Sequence, residues 1–173
     1  MRPIEPPLLA ADRIRERVAA LAGEIDAAYA GRRLIVVCVL KGALPFAADL
    51  LRQLTVDVEV EFIRARSYAR NQSTGTVELP WFPDRPLTGK HVLVVEDILD
   101  SGRTTQAICD HFERQGPASL SLCVLLDKAV PRAAPVRADF VGFAIEDRFV
   151  VGYGLDYEER YRQLPHIHVL EDV

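Results

Sequence analysis

The chain has 173 residues, of which 49% are hydrophobic and 27% charged; that suits one domain with a sizeable core, whereas two full domains would be a squeeze. A formal net charge of −4 argues against a coat for nucleic acid, which would ordinarily be basic, and no apolar run approaches the roughly 18 residues of a membrane span. Cys38, Cys109 and Cys123 are odd in number and lack C-x-x-C spacing, so neither a disulfide framework nor a zinc site is expected, and without a secretory-type start the expected compartment is the cytoplasm.

Ile14, Val18, Leu21 and Ile25 recur at helical spacing and predict an amphipathic helix over 12–29, with Gly31 as its stop. The first 33 residues hold that one helix and no helix-turn-helix signal. LIVVCVL (34–40) is a short β-branched run that reads as a strand buried on both faces, as parallel sheets require. Lys41-Gly42 breaks it, and Pro45 suits the first turn of a helix over about 46–54. Residues 56–65 alternate, with Val56, Val58, Val60 and Phe62 on one side and Asp57, Glu59 and Glu61 on the other, which predicts a half-exposed strand.

A polar loop is expected over 66–75, leading toward a hairpin through 76–79, and the proline-rich stretch 80–89 reads as a connector. HVLVVED (91–97) is a second buried strand, ILDSGRTT a loop, and 104–115 a helix ended by Gly116-Pro117. Strands follow at 119–127, 138–145 and, briefly, 149–153. Strands alternating with helices predict an open α/β sheet with crossover helices. Ligands of such sheets gather at the carboxyl ends of the strands.

Three apolar runs end in polar groups there: Lys41-Gly42, Glu96-Asp97 through Thr105, and Lys128. Asp100-Ser101-Gly102-Arg103-Thr104-Thr105 follows a strand and opens a helix. Gly102 permits a tight turn; the hydroxyls and the free N–H groups of the helix start suit a phosphate monoester. The same residues also suit plain helix capping. The adjacent carboxylates Glu96 and Asp97 would repel each other and lose solvation at the end of a buried strand. A divalent cation or a pair of sugar hydroxyls would give them a partner, as would a nearby arginine. A ligand with phosphate and diol close together, such as ribose 5-phosphate, fits both features.

VLVVEDILDSGRTT (92–105) resembles the phosphoribosyl pyrophosphate signature of the type I phosphoribosyltransferases. LKGA (40–43), Ser67-Tyr68, LLDKAVPR (125–132) and FVVGYGLDYEERYRQLP (149–165) are similar, in order, to further segments of the 6-oxopurine (hypoxanthine–guanine) branch. The resemblance implies a type I phosphoribosyltransferase fold: a mainly parallel twisted sheet flanked by helices in a single domain over 1–173, with a mobile loop at about 66–78. A small hood would be built from N-terminal residues and about 149–173. It implies transfer of a phosphoribosyl group to hypoxanthine or guanine, with Mg2+ as cofactor, phosphoribosyl pyrophosphate and a 6-oxopurine as partners, and a homodimer or homotetramer. Ser101, Gly102, Arg103, Thr104 and Thr105 would hold the 5-phosphate. Glu96 and Asp97 would face the ribose hydroxyls and metal. Lys41, Gly42 and Arg162 would meet pyrophosphate, with Ser67 and Tyr68 closing over it. In this family the Lys-Gly peptide can be cis. Asp100 would be the general base at the purine N7, Lys128 the donor to O6, Phe149 the stacking ring and Val150 the backbone reader of the base edge. Asp156 would lie beside the purine and touch a second Mg2+ through water. The connector 80–89 matches no functional segment, and the tail after Pro165 is expected to stay clear of the site.

Overall fold

The structure is a computed structural model and describes residues 3–66, 78–81 and 86–171. Helix α1 (Ala11–Ala28) buries Ile14, Val18, Leu21 and Ile25, the four positions whose spacing predicts it. Strand β1 (Leu34–Leu40) leads through a short turn to α2 (Leu44–Leu51) and to β2 (Val58–Arg66). Then come β3 (Glu78–Trp81), β4 (His91–Leu99), α3 (Arg103–Glu113), β5 (Ser119–Lys128) and β6 (Phe140–Ile145). Two short strands, β7 (Val150–Val151) and β8 (His168–Val169), pair with each other.

The main sheet has the order β3-β2-β1-β4-β5-β6. Its β2-β1-β4-β5-β6 pairings are all parallel, and β3 adds an antiparallel edge. β1 shows why the parallel strands read as unbroken apolar runs. Leu34, Val36 and Cys38 pack with α1 and α2, while Ile35, Val37 and Val39 pack with Ile108 and Phe112 of α3. With helices on both faces, both side-chain phases must be apolar. Arg17 of α1 ties down the far edge by donating to the carbonyls of Val141 and Gly142 at 2.7 and 3.0 Å.

Four expectations change. Val56, Val58 and Phe62 pack toward the core, but Val60 is 39% exposed, so the alternation of 56–65 holds only in part. Pro80 and Trp81 lie in β3 rather than in a connector; proline is tolerated there because β3 is an edge strand. The strand expected over 149–153 shrinks to two residues, because Gly152 and Gly154 turn the chain at φ 102° and 100°. The tail does not stay clear: β8 covers Val150, and Pro3 and Leu9 bridge to Leu170 and Ile167. No helix among the described residues is long and apolar enough to cross a membrane.

Candidate active site

The chain leaves β1 toward β2 on one side, while β4 pairs on the other. The turns after β1 and β4 therefore meet at the point where strand order reverses, where open α/β sheets leave a crevice. The contact there is close. A Cβ on Gly42 would fall 1.6 Å from Asp97 Oδ2, so only glycine lets this carboxylate lie against the turn. A second close approach stacks on the first: a Cβ on Gly154 would fall 2.0 Å from the Gly42 carbonyl oxygen. Gly42, Asp97 and Gly154, from three distant segments, are thus in register. The cis peptide of this turn joins Leu40 to Lys41, one bond earlier than the Lys-Gly position that the resemblance offers.

The turn after β4 is capped by Gly102 itself, at φ 80°, and no side chain caps α3. The N-cap position is thus held by glycine, and the capping role open to Asp100, Ser101, Thr104 or Thr105 is not taken at it. Ser101 and Arg103 are exposed, Thr104 is half-buried and Thr105 is buried. The segment after β5 braces the turn: Ala133 N–H donates to the Ser101 carbonyl at 2.9 Å, and a Cβ on Gly102 would strike Val136 at 2.6 Å.

Glu96 is 8% exposed. Burial, and then the charge of Asp97, push its carboxyl well above the usual range. Burial also raises Asp97, against hydrogen bonds accepted from the Glu96 carboxyl and the Ile98 N–H and against the Arg162 charge. The pair is thus short of positive charge. Among the described residues no group of three or more acidic, histidine or cysteine side chains converges.

Arg162 is held by the segment 152–162. Its Nη1 donates to the Gly154 carbonyl at 2.8 Å, and its Nη2 lies 2.8 Å from Asp156 Oδ1 and 3.3 Å from Glu159 Oε2. Its Nε is buried without a partner. Glu159 reaches Lys41 Nζ at 2.9 Å, which, with Arg162, holds its carboxyl below the usual range. One carboxylate thus bridges Lys41 and Arg162, the two cations that the resemblance places at pyrophosphate. Asp156 uses its other oxygen to accept the Glu159 N–H at 2.9 Å.

At the end of β5, Lys128 Nζ lies 3.2 Å from Asp100 Oδ2 and 3.3 Å from Asp147 Oδ1. Arg132 donates to the carbonyls of Leu99 and Asp100 and pairs with Asp127. Phe149 is 40% exposed and meets Tyr157 edge to face at 5.7 Å, so its open ring is available for stacking. Val150 is buried on β7. Ser67 and Tyr68 lie outside the described residues.

The structure thus joins Lys41 to Arg162 through Glu159, Gly42 to Asp97, and Asp100 to Lys128. It leaves Asp156 with both oxygens engaged rather than open. Sequence reading missed Glu159, Gly154, Asp147 and Arg132. Arg132, four residues after Lys128, and Asp147, two before Phe149, could have been found as charges beside the named segments. Gly154 carried no signal until its φ and its neighbour Gly42 were seen.

The chain matches the model of the phosphoribosyl transferase domain over residues 8–158. It is 41% identical to the hypoxanthine-guanine phosphoribosyltransferase of Bacillus subtilis, over 97% of this chain and 94% of that protein. It is also 41% identical to the bifunctional protein TilS/HprT of Listeria innocua, of whose length it spans only 26%. A crystal structure of a hypoxanthine-guanine phosphoribosyltransferase from Bacillus anthracis superposes with a TM-score of 0.91 at 43% identity, over 96% of this chain and 99% of that one. The sheet order, the glycine-capped turn and these matches agree: the chain belongs to the phosphoribosyl transferase family, in its hypoxanthine–guanine branch.

Proposed function

We propose that this chain transfers the 5-phosphoribosyl group from phosphoribosyl pyrophosphate to hypoxanthine or guanine, giving IMP or GMP and pyrophosphate. The observation that carries the reading is one strand-end rim holding a glycine-capped turn rich in hydroxyls, a carboxylate pair with Glu96 buried and Asp97 half-buried, and Lys128 paired to Asp100. In this reading Ser101 to Thr105 grip the 5-phosphate with hydroxyls and N–H groups at the helix start. Lys41, the Gly42 backbone and Arg162 receive the pyrophosphate, which takes the place of Glu159 between the two cations. The planar guanidinium suits phosphate oxygens.

The bond from C1 to pyrophosphate oxygen breaks with its electron pair on the leaving group, and a purine nitrogen bonds to C1. Asp100 takes the proton from N7. Lys128 donates to O6, Phe149 stacks on the ring and the Val150 backbone reads its edge. The small terminal sheet, with its N-terminal bridges, forms the hood around the base.

Mg2+ fits the Glu96–Asp97 pair, because such an ion takes one or two carboxylates and completes its shell with phosphate oxygens and water. When bound, it would offset the charge gathering on the pyrophosphate. Asp156 would reach a metal through water, since direct ligation would require it to release Arg162 and the Glu159 N–H. On the family resemblance, the working form is a cytoplasmic homodimer or homotetramer, which light scattering after gel filtration tests.

The deciding experiment supplies phosphoribosyl pyrophosphate and Mg2+ with hypoxanthine, guanine, xanthine, adenine or uracil in turn. Spectrophotometric turnover is expected with hypoxanthine or guanine and not with adenine or uracil. Absence of turnover with every 6-oxopurine refutes the proposal.

A further inference from the structure

We infer that Asp147, in the turn between β6 and β7, is a positioning residue for the purine: it fixes the Lys128 ammonium so that one donor is left facing the base. This rests on the roles proposed above for Lys128 and Asp100. The Lys128 side chain is only 10% exposed, yet its Nζ touches two carboxylates, Asp100 at 3.2 Å and Asp147 at 3.3 Å, carried by different turns. An ammonium has three N–H donors and no acceptor. A single anchor would leave it free to spin about that contact. Two anchors fix its rotation and leave the third hydrogen for an acceptor such as a 6-oxo group.

The two carboxylates are not equivalent. Asp100 becomes a neutral acid when it accepts the N7 proton, and its pull on Lys128 fades at that moment. Asp147 takes no part in the proton transfer and keeps its charge, so Lys128 stays aimed through the step. The third carboxylate of this neighbourhood, Asp127, is taken up by Arg132, which also holds the Leu99 and Asp100 carbonyls. The backbone adds to the argument. The turn that carries Asp147, tightened by the Arg148 N–H to the Glu146 carbonyl at 2.8 Å, runs directly into Phe149. The same short segment therefore delivers the counter-charge and the stacking ring.

Asp147 is 70% exposed, and a solvated ion pair contributes little to folding, so its removal leaves the fold in place. Asp147→Ala and Asp147→Glu are compared with the unaltered protein for melting temperature, kcat, KM for hypoxanthine and for phosphoribosyl pyrophosphate, and calorimetric affinity for IMP and for ribose 5-phosphate. For Asp147→Ala, KM for hypoxanthine and Kd for IMP should each rise about fivefold, the upper end for an exposed pair. Ribose 5-phosphate affinity, KM for phosphoribosyl pyrophosphate and melting temperature should not move, and Asp147→Glu should restore most of the loss. Unchanged hypoxanthine KM and IMP affinity in Asp147→Ala overturn the inference while leaving the proposed reaction intact. So does an equal loss for IMP and ribose 5-phosphate with a lowered melting temperature, which marks a structural role. If the unaltered protein binds IMP no better than ribose 5-phosphate, the proposed function itself fails.

Discussion

Gly154→Ala tests the stack that joins the C-terminal segment to the turn after β1. Gly154 sits at φ 100°, and an added Cβ would lie 2.0 Å from the Gly42 carbonyl oxygen and 2.9 Å from Pro45 Cδ. The first neighbour is backbone and cannot rotate away; an ordinary contact requires it to retreat by about 1 Å or more. Alanine at this φ costs roughly 1–3 kcal/mol, and overpacking adds roughly 1–3 kcal/mol. A destabilisation of about 4 kcal/mol lowers Tm by roughly 8–16 °C in a domain of this size. The displaced atom belongs to the turn proposed for pyrophosphate, so KM for phosphoribosyl pyrophosphate should rise more than KM for hypoxanthine. Differential scanning fluorimetry and initial rates with each substrate varied give both numbers. A Tm within about 2 °C of the parent, less than 1 kcal/mol by the same scaling, together with an unchanged KM, would refute the close approach as described.

Asp100→Asn should lower kcat sharply with little change in affinity for phosphoribosyl pyrophosphate; rapid turnover by the variant contradicts the general-base role. Thr104→Val should weaken nucleotide binding through the 5-phosphate, by about 1 kcal/mol for one lost hydrogen bond; calorimetry showing equal affinity removes Thr104 from the phosphate site. Asp26 is a test of pH linkage away from the site. Burial disfavours its charge, but the Thr55 hydroxyl and the N–H groups of Thr55 and Val56 outweigh this and hold its carboxyl below the ordinary value. A depressed pKa contributes stability that is present above the unfolded-state value and lost as pH falls through the folded one. Asp26→Asn should therefore melt lower than the parent at pH 7, with the gap closing in acid below the ordinary aspartate pKa; a gap that persists there would show that charge is not the cause.

The architecture was readable because burial on both faces of a parallel strand leaves a run such as LIVVCVL, and the helical spacing from Ile14 to Ile25 names its own face. The turn after β4 was readable as chemistry but not as geometry: the same letters serve a helix cap, and the letters alone do not say that Gly102 is the residue at the cap position. What escaped the sequence are pairings across long separations. Lys41 and Glu159 are 118 residues apart, and neither residue type signals the other. Gly154 meeting Gly42 depends on where two backbones pass, which no side-chain pattern records. Pro80 and Trp81 misled because proline usually marks a connector, whereas an edge strand accepts it.

The late closure of the site bears on how the protein is made. Glu96 and Asp97 are translated well before Arg162, the cation whose charge favours ionised Asp97. At about 5–20 residues per second, the growing chain spends roughly 3–13 s with the strand synthesised and that arginine still missing. During that interval β5 and β6 are still being added to the sheet, and the arginine proposed for pyrophosphate is the later arrival. Early folding therefore rests on the apolar strands themselves and not on the Arg162 charge.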